Sequence, residues 1–478
     1  MKKRVADIIV ETLIERGVTD CFGVVGGGAM FLDNALGLNS DMRKTFNHHE
    51  QASAMAADAY ARLNGKPALV CVTSGPGSTN TLTGVMGAWQ DSLPMIVISG
   101  QVRYAISVPK CGLDLRYRGI QEFQIVDSVK NMTKYAVMIT DPLSIRAEVN
   151  KAIDISMSGR RGPVWLDVPQ DIQSAMVETD DLYENEVVPQ VPAATVADVE
   201  KVLEKLASAK RPVILAGNGI RNSGNVEAFR SFAAKTGLPV ISACIAADVM
   251  YMDYERFYGL SGSIGPRTGN FIVQNADVIL SLGSNLGFKM TGFAQEYFAP
   301  NAYMIAVDVD ENEMKKPGVR VHHHVHSDLK AFFEAAESLV KPIAVPQKWL
   351  DYCDALKARF SPYEAAEGLP MSERVCSYWF WKKYDELAPS DLITAMGCST
   401  INSGRLQIGV VHENQRVITN NNCGSMGEDL PMAIGSAVCG QPVVCVTGDG
   451  NIMMNMQELQ TIKYNKLPVK VIVQLICS

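Results

Sequence analysis

A carboxylate flanked by glycines at the end of an apolar run carries the clearest chemistry in this 478-residue sequence. Val443–Thr447 reads as a strand and leads into Gly448-Asp449-Gly450, then into a helical stretch with Asn455-x-Gln457-Glu458. A carboxylate at a strand's C-terminal end is placed to hold Mg2+, and the glycines let backbone amides approach a phosphate chain closely. Alone, the triplet is also a common turn. Glu50 opens an Ala-rich helical run, Ala52–Leu63, closed by Asn64-Gly65. An acid there either handles a proton or is a first-turn residue favoured by the helix dipole. Two further glycine loops, Gly26-Gly27-Gly28 and Gly217-Asn218-Gly219, follow apolar runs. Phe31 and Asn222 stand where a dinucleotide fingerprint needs its third glycine, so both loops read as tight βα turns. His322, His323, His324 and His326 resemble a metal tract, but a run of this kind more often forms an exposed strand or loop.

The elements that must present these groups follow a βα rhythm. Apolar, β-rich runs fall at Ala68–Val72, Met95–Ser99, Val164–Val168, Val213–Ala216, Val278–Leu282, Met304–Val307, Val443–Thr447 and Val469–Val473. Helical patterns lie between them, which predicts an α/β chain of doubly wound parallel sheets with crossover helices. The acidic stretch Glu178–Ala194, with Pro189 and Pro192, and the stretch Lys341–Gln347 divide the chain into three blocks. These are 1–180, 190–342 and, after an aromatic helical connector running to about Trp381, 370–478. The third is short beside the other two.

Composition excludes some partners. The chain is 47% hydrophobic and 20% charged, with a net charge of −7. It therefore offers no basic face for nucleic acid or an anionic membrane. No apolar run nears the roughly 18 residues of a membrane span. The basic start, Met1-Lys2-Lys3-Arg4, continues as an amphipathic helix with Val5, Ile8, Ile9 and Leu13 on one face, not as a signal peptide. Eleven cysteines without a C-x-x-C pair suggest neither a zinc knuckle nor a disulfide framework, and Cys21, Cys71, Cys244 and Cys445 read as buried thiols. A soluble, cytoplasmic protein is expected.

Several motifs fall in one order along the chain. The first block carries Phe22-Gly23, Gly26-Gly27, His49-Glu50-Gln51-Ala52, Ala56–Arg62, Thr73-Ser74-Gly75-Pro76-Gly77, Asn80 and Ser99-Gly100-Gln101-Val102. The second carries Gly217-x-Gly219, Asn275-Ala276-Asp277, Gly283 and Asp308-x-Asp310, and the third Gly424-Ser425-Met426-Gly427, Gly448-Asp449-Gly450, Asn455-x-Gln457-Glu458 and Leu467-Pro468-Val469. Together they resemble the thiamine-diphosphate-dependent enzymes of the acetolactate synthase type, over essentially the whole chain.

The resemblance implies a pyrimidine-binding domain at 1–180, a central domain at 190–342 that admits FAD or another nucleotide, and a diphosphate-binding domain at 370–478. It makes Glu50 the cofactor-activating carboxylate, places Gln101 in the reaction pocket and gives Asp449 to Mg2+. Gly26, Gly27, Gly75, Asn80, Gly397, Gly448 and Gly450 are the implied cofactor contacts, and Met426 is the apolar wedge that bends the cofactor. Lys134, Gln121 and Glu122 fall at pocket or nearby structural positions. Asn285 replaces an arginine common beside FAD, which counts against that group. The implied assembly is a homodimer or homotetramer, and the implied reaction is decarboxylation of pyruvate, a small 2-oxo acid, with carboligation to a second carbonyl. Acetyl transfer to a keto-sugar is an alternative acceptor chemistry, and a non-catalytic remnant or subunit-binding protein an alternative class. One departure stands out: Ile476 occupies the position of an asparagine metal ligand. The expectation is therefore of a third domain left incomplete at its C-terminal end, with impaired activity.

Overall fold

The computed structural model describes residues 1–184, 190–367 and 375–475. Ile476, residues 185–189 of the acidic linker and residues 368–374 of the aromatic connector lie outside the described residues. The first block contains β1 (Lys2–Arg4), β2 (Asp20–Gly23), β3 (Arg43–Phe46), β4 (Leu69–Val72), β5 (Met95–Gln101), β6 (Tyr135–Met138), β7 (Pro163–Pro169) and β8 (Met176–Glu178). Six of these form a sheet in the order β3-β2-β4-β5-β7-β6, parallel throughout, while β1 and β8 pair antiparallel. The β4, β5 and β7 side chains are buried along their whole length, as a parallel sheet covered by helices on both faces requires.

A second six-stranded parallel sheet comprises β9 (Pro212–Ala216), β10 (Val240–Ala243), β11 (Phe257–Ser261), β12 (Val278–Leu282), β13 (Tyr303–Asp308) and β14 (His323–His326). Its order is β11-β10-β9-β12-β13-β14. The histidine tract is thus an edge strand. The third sheet contains β15 (Ile393–Met396), β16 (Arg416–Ile418), β17 (Val443–Gly448) and β18 (Val469–Gln474), in the order β16-β15-β17-β18, with β17 and β18 parallel.

The chain forms two compact units, Met1–Gln190 with Ala395–Cys398 and Ile418–Ser478, and Val191–Thr394 with Ser399–Val417. The first unit is discontinuous because β17, β18 and their helices pack with the first block. At its centre the helix Glu50–Asn64 is buried without a break from Ala52 to Arg62. A helix enclosed on every side has room only for small residues. Its alanines pack against the helix Asp429–Ala437, so closely that a Cβ on Gly435 would meet Ala56 O at 2.0 Å. Ile434 and Val438 accordingly share a core with Phe22, Val70, Val97 and Trp165. The Ala-rich run therefore serves helix–helix contact. Gly65, at φ 67°, ends the helix in a left-handed cap. Among the described residues no helix is long and apolar enough to cross a membrane.

Candidate functional site

In the first sheet the chain runs from β2 to β3 on one side and then to β4 on the other. The carboxyl ends of β2 and β4 therefore flank a topological switch point, where open α/β sheets bind ligands. Gly26–Gly28 follow β2, and Thr73–Gly77 follow β4. The two turns interlock: Gly28 N donates to Thr73 Oγ1 at 2.8 Å, and a Cβ on Gly26 would lie 2.5 Å from Thr73 Cβ. Gly26 N donates to Asp33 Oδ2 at 3.0 Å, and Gly27 O accepts from Gln170 Nε2 at 2.6 Å. Burial raises the Asp33 carboxyl to about 6 against the pull of the Gly26 amide. Gly75 adopts φ +58°, and its missing side chain admits Gln121 O, which a Cβ would approach to 2.5 Å.

Glu50 sits at the first turn of its helix, behind the cap His49, whose Nδ1 accepts from Gln51 N. Asn80 Nδ2 donates to Glu50 Oε2 at 3.0 Å. Oε1 has no hydrogen-bond partner among the described residues, and a Cβ on Gly77 would come within 3.5 Å of it and 2.6 Å of Thr73 Cγ2. One carboxylate oxygen is thus fixed, and the other is unpaired beside the turn Thr73–Gly77. This fits an acid that must reach a ring nitrogen of a bound molecule.

The third-block residues in the same unit gather around the end of β17. Asp449 Oδ1 accepts from Gly450 N at 2.9 Å, which turns the carboxylate over its own loop. Asn451 Nδ2 donates to Cys398 O at 3.0 Å and so ties the Gly448-Asp449-Gly450 turn to the Gly397-Cys398 turn after β15. The Met426 methyl lies 3.5 Å from a Cβ position on Gly450, and Met426 itself is exposed. Apolar surface, an acid and backbone amides therefore share one place.

Glu458 joins this cluster to the Glu50 helix. Fully buried, it accepts from Asn47 Nδ2 at 2.8 Å, His48 N at 2.9 Å and Thr461 Oγ1 at 2.8 Å. Asn455 Nδ2 adds contacts to Gly427 O at 2.7 Å and Gln51 Oε1 at 3.3 Å. The strongest cross-block anchor is therefore a residue that the motif reading quoted without giving it a role.

Other expected site residues are placed differently. Gln101 is buried, its Nε2 donating to Phe123 O at 2.8 Å and Asp167 Oδ2 at 3.0 Å, and its Oε1 accepting from Val102 N. Its amide is held by these three internal bonds. Asp167 also accepts from Ser99 Oγ at 2.7 Å, which in turn accepts from Trp165 Nε1 at 2.8 Å. Burial raises the Asp167 carboxyl to about 7, outweighing these two donors. Sequence reading missed Asp167, hidden in an apolar strand. Lys134 caps the Ile155 and Ser158 carbonyls, and burial lowers its ammonium to about 8. Glu122 accepts from Val108 N, Arg118 N and Gly119 N, which outweigh its desolvation and lower its pKa. Both are loop-holding groups. The histidines diverge: His322 stacks on Tyr303 with ring centres 4.9 Å apart, and His326 contacts Val309 O. Among the described residues no three His, Cys, Asp or Glu groups are arranged to hold a metal.

Comparison with known proteins matches residues 3–128 to the N-terminal TPP binding domain of thiamine pyrophosphate enzymes, 199–336 to their central domain and 395–474 to their C-terminal TPP binding domain. The large subunit of acetolactate synthase isozyme 2 from Escherichia coli (strain K12) is 31% identical over 473 residues, covering 98% of this chain and 82% of that protein. The chain belongs to the thiamine pyrophosphate enzymes. Acetolactate synthase 1, chloroplastic, of Nicotiana tabacum is 31% identical over 480 residues, with 98% of this chain and 69% of that protein covered. The chloroplastic acetolactate synthase of Arabidopsis thaliana is 30% identical over 484 residues, with 98% and 69% covered. Three parallel-sheet α/β domains are the architecture of this family, and the three parallel sheets of the fold agree with it. The expectation of a third domain cut short, with impaired activity, finds no support in these alignments.

Proposed function

We propose that this protein is an acetolactate-synthase-like carboligase, acting on pyruvate as donor and adding its two-carbon unit to a second carbonyl. The arrangement of Glu50 carries the reading: one oxygen held by Asn80, the other unpaired beside the turn Thr73–Gly77. Thiamine diphosphate, when bound, supplies a carbon nucleophile and a sink for the electron pair released as carbon dioxide leaves. Glu50 Oε1 would hold and exchange a proton with the cofactor's ring nitrogen, while Asn80 Nδ2 fixes the other carboxylate oxygen. Asp449, braced by Gly450 N, would offer an oxygen to Mg2+, and the Gly397-Cys398 and Gly448–Gly450 turns, tied together through Asn451, would line the diphosphate. Met426 supplies the apolar surface beside that turn.

FAD has weaker support. The Gly217 and Gly283 turns stand at the switch point of the second sheet but close on each other, with Gly219 N donating to Gly283 O at 2.9 Å. Asn285 brings no cation, its amide being neutral, and its Oδ1 accepts from Gly287 N in a local turn. The reading therefore needs no flavin. A homodimer or larger assembly in the cytoplasm completes it, with exposed Met426, Met453, Met454 and Met456 offering apolar surface to a second copy.

The test is calorimetric titration of the full chain with thiamine diphosphate and Mg2+, followed by assay of pyruvate consumption and acetolactate formation. Binding with turnover is expected. Glu50→Gln should retain binding but lower kcat by about 10^2 to 10^4. A chain that neither binds the cofactor nor consumes pyruvate would overturn the proposal in favour of a non-catalytic role. Product analysis with keto-sugar acceptors separates the two carboligase chemistries.

A further inference from the structure

We infer that Asp429 is a positioning residue for the diphosphate side of the site, a buried acid that sets the Gly397-Cys398 and Gly448–Asn451 turns against each other. The inference rests on the thiamine-diphosphate reading above and extends it to a residue no motif marks. Asp429 begins the helix Asp429–Ala437 and is 1% exposed, yet neither carboxyl oxygen reaches good hydrogen-bond geometry among the described residues, with Thr447 and Asn451 its nearest polar side chains. A Cβ on Gly397 would lie 2.7 Å from its Cγ, so the carboxyl lies directly against that turn. Thr447 and Asn451, on either side of Gly448-Asp449-Gly450, are the polar side chains that face it. Asn451 in turn holds Cys398 O, and Thr447 Oγ1 donates to Gly448 O at 3.2 Å. One carboxyl group therefore stands between both turns assigned to the diphosphate.

Its charge state follows from its surroundings. An ionised carboxylate without a partner is very costly in a protein interior, and the un-ionised acid far less so. Arg62, which faces the neighbouring Glu428, already lies between Asp58 and Asp91 at 2.5 Å from each. Burial accordingly pushes the Asp429 carboxyl upward, against the weaker pull of Thr447 and Asn451. A neutral acid offers one donor and one acceptor, enough to serve both turns. It also adds no negative charge beside a diphosphate.

The experiment uses the full chain and the variants Asp429→Asn and Asp429→Leu. Three quantities are measured: thiamine diphosphate affinity in saturating Mg2+, the thermal midpoint, and hydrogen exchange of amides 448–451 without cofactor. Asn keeps one donor and one acceptor and should bind within about 3-fold of the parent, whereas Leu should bind about 10-fold to 100-fold more weakly. The Leu variant should melt no lower than the parent, because it no longer buries an acid, yet its 448–451 amides should exchange faster. At saturating cofactor its kcat should be retained, with the loss appearing in the apparent KM for cofactor. Unchanged affinity in the Leu variant, or a loss that only tracks a lowered midpoint, overturns the positioning role. If the parent chain itself fails to bind thiamine diphosphate, the cofactor reading fails and this inference with it.

Discussion

Asp167 shows what one buried side chain demands of a sheet. It is fully enclosed, with two neutral donors and no cation, so it holds its proton up to about 7 where an unfolded chain loses it near 3.8. Between those values the folded state binds more protons than the unfolded one, and stability must fall as pH rises. Asp33, raised to about 6, adds to the same slope over the lower part of the window. Denaturant titrations from pH 4 to pH 8 should show a loss of a few kcal/mol, at ~1.4 kcal/mol per pH unit for each such group. Asp167→Asn should flatten the slope between pH 4 and 7, and an unaltered slope would mean the carboxyl is ionised throughout. Residue chemistry was partly legible in sequence. The motif proposed a role for Glu50, whereas its unpaired oxygen beside Gly77 and its bond from Asn80 arise only on folding. Gln101 carried the right motif, yet its amide is bonded to a carboxylate 66 positions away.

At the scale of elements, the helix Glu50–Asn64 was readable from its alanines and its Gly65 stop, and its residues match the expected run closely. Its neighbour was not readable, because Gly435 against Ala56 is a close approach between segments far apart in sequence. Glu458 secures that approach from the other end. Glu458→Ala should strand the Asn47, His48 and Thr461 donors in the interior and cost roughly 3 kcal/mol, read as a shift in urea midpoint. Glu458→Gln, which keeps one acceptor, should cost less. Equal and negligible losses in both would show that helix packing alone holds the two segments together. The histidine tract gives the same lesson in reverse. Its spacing resembled a metal tract, but in the fold the rings find separate partners, His322 on Tyr303 and His326 at Val309 O.

For the whole molecule, chain order and spatial order differ. The first unit closes only when residues from 418 onward return to the first block, so its core depends on contacts across most of the sequence. Exposed methionines beside the Gly448–Gly450 turn are then the apolar surface still to be covered. Sedimentation velocity at micromolar concentration, with thiamine diphosphate and Mg2+, should show a dimer or larger species. A monomer across the concentration range would count against the assembly proposed here.

The sequence alone determined the α/β class, most strand cores and the order of the motifs, because these rest on local periodicity and on short spacings that folding preserves. It also set the family, through many motifs in series. Only the tertiary structure decided which oxygen of Glu50 is unpaired, that Gln101 and Lys134 are bound internally, and that Asp429 lies against Gly397. Each of these depends on atoms distant in sequence meeting within a few ångströms, and hydrogen bonding and desolvation act only at that range.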